Sequence, residues 1–95
     1  MSNHSLLNKT KIHFIGIGGV SMSGLAEIIW SKGYQVTGSD MKPSITTRHL
    51  EDLGLSIYYG HDANHIEADV DLVVYTAAIH EENPEIQAAK SRGIQ

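Results

Sequence analysis

From Lys11 to Gly24 the chain reads Lys-Ile-His-Phe-Ile-Gly-Ile-Gly-Gly-Val-Ser-Met-Ser-Gly, and four of the nine residues from 16 to 24 are glycine. The spacing Gly16-x-Gly18-x-x-Ser21 differs from the dinucleotide-binding fingerprint only in carrying serine at the third small position. Gly16 suits a tight turn, and Gly18 lets the backbone come close to a phosphate. A turn of this kind between a strand and a helix aims backbone N–H groups and the positive end of a helix dipole at one point. That point attracts phosphate. The glycines also fit a packing role, letting the helix lie close on the strand. Four in nine residues exceed what close packing requires.

Ser21 and Ser23 fall in the first turn of the expected helix. They suit a cap or a hydroxyl donated to phosphate, since no His–carboxylate pair adjoins them to make a nucleophile. Asp40, near the end of a second strand, suits an acceptor for ribose hydroxyls or a solvated loop residue. His61 and His65 flank Asp62 at a spacing that one helix turn would bring to a metal. Gly60 argues against such a helix and no third ligand is evident, so no metal site is assigned. His61 is expected instead as a hydrogen-bonding group at a cleft. Thr76-Ala77-Ala78 fits either a close approach of backbone to ligand or a tight turn. Of the six histidines, His13 alternates with apolar neighbours in a strand, His49 and His65 are expected at the surface, and His80 in a loop. No residue is assigned a catalytic role.

The elements that must carry these residues alternate. Strands are expected at Ile12–Ile15, Gln35–Thr37, Leu55–Tyr59 and Asp71–Tyr75. A helix over Ser21–Lys32 presents Met22, Leu25, Ala26 and Ile29 on one face and stops at Gly33. A second opens at Pro43-Ser44, with Leu50 and Leu53 inward, and ends at Gly54. A short helical or irregular crossover spans residues 63–68. Asn83-Pro84-Glu85 combines an N-cap side chain, proline at the first helical position and a first-turn carboxylate, so a third helix starts there and runs to Gly93. Residues 1–10 are expected as a mobile lead-in, and Ile94-Gln95 as the start of a fifth strand. Strand–helix alternation without hairpin signals implies an α/β fold, a Rossmann-like parallel sheet with helices on both faces. Ligands of such sheets bind beyond the carboxyl ends of the strands. Those ends are where the glycine turn, Gly38–Asp40, Gly60-His61 and Thr76–Ile79 fall.

With 95 residues the chain makes one domain. At 41% hydrophobic and 19% charged it is globular, and without cysteine it has no disulfide or thiol chemistry. A net charge of −4 disfavours general nucleic-acid binding. No Lys or Arg lies between Lys11 and Lys32 or between Arg48 and Lys90. A phosphate at the glycine turn therefore relies on backbone N–H groups unless a cation folds in from elsewhere. No apolar run is long enough to span a bilayer, and a cytoplasmic location is the default expectation.

Four segments, in order and in spacing, resemble the Mur ligases, in particular the branch that adds L-alanine: residues 12–27, 34–40, 59–61, and 75–79 with Asn83-Pro84-Glu85-Ile86. The resemblance implies a three-domain, ATP- and Mg²⁺-dependent enzyme of peptidoglycan-precursor synthesis that joins L-alanine to UDP-N-acetylmuramate. It implies that residues 11–95 are the UDP-binding domain, with Gly16 at the turn and Gly18-Gly19-Val20-Ser21-Met22-Ser23 receiving the diphosphate. Ser39, Asp40 and His61 would then surround the uridine, with Thr76, Ala77 and Ala78 near the nucleotide–sugar end. Ser21 departs from the glycine more usual in the family. The ATP-binding sequence Gly-x-x-x-x-Gly-Lys-Ser/Thr does not occur in the chain, so the chain by itself is expected to lack ligase activity. The competing reading is an NAD-binding domain of a dehydrogenase or regulatory protein, which shares the glycine turn and Asp40.

Overall fold

The computed structural model describes residues 10–76, 78–91 and 93–94. Four strands, β1 (Lys11–Ile15), β2 (Gln35–Asp40), β3 (Ser56–Tyr59) and β4 (Leu72–Val74), form one parallel sheet in the order β3-β2-β1-β4. Helices α1 (Val20–Ser31), α2 (Ile45–Leu53) and α3 (Pro84–Ser91) and a 3₁₀ turn (Ala63–His65) connect them. The expected lead-in falls largely on residues 1–9, outside the described residues, as do Ala77, Arg92 and Gln95.

Strand periodicity decides which side each residue serves. Ile12 and Phe14 of β1 join Val36, Leu50, Met22 and Ala26 in one core, against α1 and α2. Ile15 faces the other way and packs with Ile66, Val73, Ile86 and Ala89, against α3 and the 3₁₀ segment. His13 shares that second face. The sheet is therefore covered on both sides, as the alternation of elements requires.

Helix ends follow their sequence signals. Ser44 caps α2 in a reciprocal capping box with Thr47. Gly54, at φ +111°, ends α2 while the Leu55 amide reaches back to the Leu50 carbonyl. Asn83 Oδ1 accepts from the Glu85 amide at the start of α3.

Several expectations are corrected. Leu25 is 43% exposed and Leu53 39% exposed. The inward stripe of α1 keeps Met22, Ala26 and the partly buried Ile29, with the partly buried Trp30 in place of Leu25. Strand β2 runs on to Asp40, because Gly38 and Ser39 pair with Phe14 and Ile15. Strand β4 stands at the sheet edge, with Val73 in the second core, Val74 against the first and Leu72 37% exposed. Ile94 is not in a strand; it packs on the second core, its amide bonded to the Ala89 carbonyl.

Candidate nucleotide site

In the order β3-β2-β1-β4 the chain winds outward from β1 through β2 and β3, then crosses back to place β4 on the far side of β1. The reversal leaves a crevice beyond the ends of β1 and β4, and the glycine turn lies there. Gly16 adopts φ +79°, and an added Cβ would lie 3.2 Å from Ile79 Cδ1.

The turn's own amides are already engaged. Gly16 and Ile17 donate to the Ser39 carbonyl at 2.8 and 3.0 Å, and Gly19 donates to the Gly16 carbonyl at 3.1 Å. Gly18 donates to Asp40 Oδ2 at 2.8 Å. The expectation that the Gly18 amide stands open for phosphate is thus corrected: a carboxylate already holds it. The open donors lie one step further on. Helix α1 has Gly19 at its N-cap and no side-chain cap, and its first intrahelical bond is Ser23 N–H to the Gly19 carbonyl. The amides of Val20, Ser21 and Met22 have no hydrogen-bond partner among the described residues, and they sit at the positive end of the helix dipole.

These residues face an open recess of about 660 Å³ that brings together Gly16, Gly18, Gly19, Val20, Ser21, Met22, Asp40, Thr76 and Ala78. Lys42, Pro43, Ser44 and Ile79 complete its wall. Lys42 is the cation that linear spacing does not reveal; it arrives from the loop after β2. Ser23 is turned away, its hydroxyl bonded to the Val20 carbonyl. Ala77 lies outside the described residues. A smaller recess of about 370 Å³ shares Ala78 and Ile79 and is lined also by Met41, His61, His80, Glu82 and Asn83.

Behind the second recess is a cluster of polar side chains that local sequence does not announce. Glu85 is fully buried. Its Oε1 accepts from His13 Nε2 and Ser39 Oγ, both at 2.7 Å. Its Oε2 meets His65 Nδ1 at 2.8 Å, His61 Nδ1 at 3.2 Å and the Asp62 amide at 3.2 Å. Burial opposes ionisation of this carboxyl. The hydrogen bonds from His13, Ser39 and His65 outweigh it and hold the pKa at about 2. His13 Nδ1 in turn lies 2.8 Å from Thr37 Oγ1. His65, expected at the surface, is instead mostly buried and stacked on Tyr58 with ring centroids 4.6 Å apart. Tyr58 donates to Glu67, a bond that with burial raises its pKa.

Ser39 therefore supports the site without lining it: wholly buried, its hydroxyl is spent on Glu85. Glu85 reads in sequence as a first-turn helix carboxylate, and only the fold shows it as the meeting point of four elements. The single local hint was a histidine, His13, inside an apolar strand. Among the described residues no group of three or more His, Cys, Asp or Glu side chains is placed to hold a metal ion. No helix among them is long and apolar enough to cross a membrane.

Known proteins agree with this architecture. The family model described as Mur ligase family, catalytic domain, matches residues 11–95. The UDP-N-acetylmuramate–L-alanine ligase of Clostridium novyi is 57% identical over 88 residues, covering 93% of this chain and 19% of its own length. That of Acetivibrio thermocellus is 53% identical over 97 residues, covering 99% and 20%. Among solved structures, the UDP-N-acetylmuramate–alanine ligase of Thermotoga maritima superposes with a TM-score of 0.84 at 40% identity, over 88% of this chain and 19% of that one. A UDP-N-acetylmuramate:L-alanyl-γ-D-glutamyl-meso-diaminopimelate ligase from Neisseria gives 0.81 at 34% identity, over 90% and 27%. The chain thus spans about a fifth of the length of the curated relatives it matches. These relatives give no support to a nicotinamide-binding dehydrogenase. With the family model spanning nearly all of it, and a solved ligase sharing its fold, the chain belongs to the Mur ligase family.

Proposed function

We propose that residues 11–95 form the sugar-nucleotide-recognition domain of a UDP-N-acetylmuramate–L-alanine ligase, an enzyme of peptidoglycan-precursor synthesis in the cytoplasm. The observation that carries this reading is the uncapped start of α1, three partnerless amides facing a recess at the point where strand order reverses. A diphosphate needs donors and positive potential. The amides of Val20, Ser21 and Met22 supply both, and Lys42 adds a full charge on the opposite wall.

The nucleoside then extends into the smaller recess beside His61, with Thr76 and Ala78 along the path between the two. Asp40 has to give up the Gly18 amide as an anion arrives. Two unit charges about 4 Å apart repel by roughly 4 kcal/mol at an effective dielectric of 20. Ribose hydroxyls offer that carboxylate a new partner at the end of β2.

ATP, Mg²⁺ and L-alanine belong in this proposal to the parent enzyme and not to this chain. The residues present do not fit an ATP–metal site: the phosphate loop is missing from the sequence, and the described residues offer no metal-binding group. The longer enzyme is the one that uses ATP to condense L-alanine with UDP-N-acetylmuramate, and the 95-residue chain alone turns over no ATP.

Titration of isotopically labelled chain with UDP tests the reading. The amide resonances of Val20, Ser21 and Met22 are expected to move in a saturable way, and NAD at equal concentration to leave them in place. UDP at ten times its Kd would also stabilise the fold by about 1.4 kcal/mol. Movement of those amides with NAD but not UDP overturns the reading.

A further inference from the structure

His61 stands between the buried cluster and the smaller recess. Its Nδ1 faces Glu85 Oε2 at 3.2 Å and Ser39 Oγ at 3.3 Å. The Ser39 hydrogen is directed to Glu85 Oε1, and an ionised carboxylate has no proton to offer. Both neighbours of Nδ1 are thus acceptors, and Nδ1 itself must carry the hydrogen. In the neutral ring Nε2 is then a bare lone pair, with no hydrogen-bond partner among the described residues, on a side chain that lines the recess.

The carboxylate cannot rotate to change this. Oε1 is held by His13 and Ser39, while Oε2 also takes the His65 Nδ1 hydrogen and the Asp62 amide. His65 is in turn clamped by its stacking on Tyr58. Glu85 is itself fully buried and out of reach of any ligand. Whatever it does for binding, it does through a neighbour.

We propose that Glu85 is a positioning residue for nucleoside recognition: it fixes the proton of His61 on Nδ1, and so presents Nε2 to the recess as an acceptor for a nucleoside donor, an imide N–H or a ribose hydroxyl. The inference rests on the reading of the crevice as a uridine nucleotide site. It also sets an internal contrast, because His13 meets the same carboxylate through Nε2 and takes the Thr37 hydroxyl hydrogen on Nδ1. One buried carboxylate thereby selects opposite tautomers in two histidines.

The tautomers are read directly from ¹⁵N shifts of the histidine rings in the unliganded chain at mildly alkaline pH. His61 and His65 are expected as Nδ1–H and His13 as Nε2–H. The variant Glu85→Gln keeps size and shape but turns an amide NH₂ toward one pair of ring nitrogens. Its orientation is read from the same ring shifts: NH₂ on the His61 side drives the His61 hydrogen to Nε2, whereas oxygen there, where the Asp62 amide also donates, leaves it on Nδ1. UDP affinity is expected to follow that tautomer, falling about tenfold, the worth of one hydrogen bond of about 1.4 kcal/mol, with Nε2–H and holding with Nδ1–H. His61→Ala is expected to cost the same, and Glu85→Gln placed on His61→Ala to add nothing further.

His61 found as Nε2–H in the wild-type chain overturns the proposal, as do losses that multiply in the double variant. The ring shifts need no ligand, so a chain that shows the expected tautomers yet ignores UDP refutes the nucleotide reading and leaves the positioning of His61 standing.

Discussion

The two walls of the crevice are built from different materials. The glycine turn and the start of α1 act through backbone, from one continuous stretch of chain. The Glu85 cluster acts through side chains brought from β1, β2, the 3₁₀ segment and α3. The first wall leaves three amides unpartnered for a ligand; the second satisfies every buried side-chain polar atom among the described residues and leaves only His61 Nε2 open at its edge. A backbone wall tolerates many side chains but no added volume. A side-chain wall tolerates crowding but not the loss of a member.

The largest effect is therefore expected from Glu85→Ala. It strands the buried hydrogens of His13 and Ser39 without an acceptor, and stability should fall by on the order of 3 kcal/mol. Urea unfolding measures this, and a loss below about 1 kcal/mol would mean that the cluster is not the structural centre it looks to be.

Acid attacks the same cluster more gently. Because the folded-state pKa of Glu85 is depressed to about 2 from 4.5, its contribution is complete above the unfolded value. That contribution is lost as pH falls from about 4.5 toward 2 and amounts to roughly 2–3 kcal/mol. The unfolding midpoint of wild type should drop across that window, and the drop should be smaller in Glu85→Gln. Parallel acid curves for the two chains would contradict this.

Gly38→Ala strikes the backbone wall from below. A Cβ there would lie 2.8 Å from Ile17 Cβ, and Ile17 is fully buried with no room to yield. A cost of about 1–3 kcal/mol is expected in thermal unfolding, together with weakened UDP binding as the turn is displaced. Unchanged stability would show that the turn has slack.

The smallest effect is expected from Lys42→Ala. It removes one exposed charge from the recess and should weaken UDP binding about two- to fivefold without altering the fold. That loss should shrink as salt is raised. A loss that persists at high salt would assign Lys42 a role other than charge.

This division also explains what could be read from the chain before its fold was known. Gly16, Gly33 and the Asn83-Pro84 helix start are local features, set by backbone conformation within a few residues, and they stand where expected. Asp40 lines the recess as its position after β2 leads one to expect, but its bond to Gly18 spans 22 positions of sequence. Ser39, expected beside the nucleoside, and His65, expected at the surface, are drawn inward for the same reason, and Glu85 keeps its expected first-turn place while taking on a second role. A serine at a strand end, a histidine in a polar stretch and a glutamate in a first helical turn each have an ordinary local role. Only tertiary pairing, with His13 and Glu85 72 residues apart, converts them into one unit. Leu25 and Leu53 failed differently: a helix face three residues wide or four reads alike until the partner surface is known.

Asp40 on the Gly18 amide has a kinetic corollary. On the proposed reading the crevice carries its own tethered surrogate anion, so nucleotide capture is an exchange and not a simple filling. The swing of that carboxylate is a unimolecular step, and the observed capture rate should level off at high UDP instead of climbing without limit.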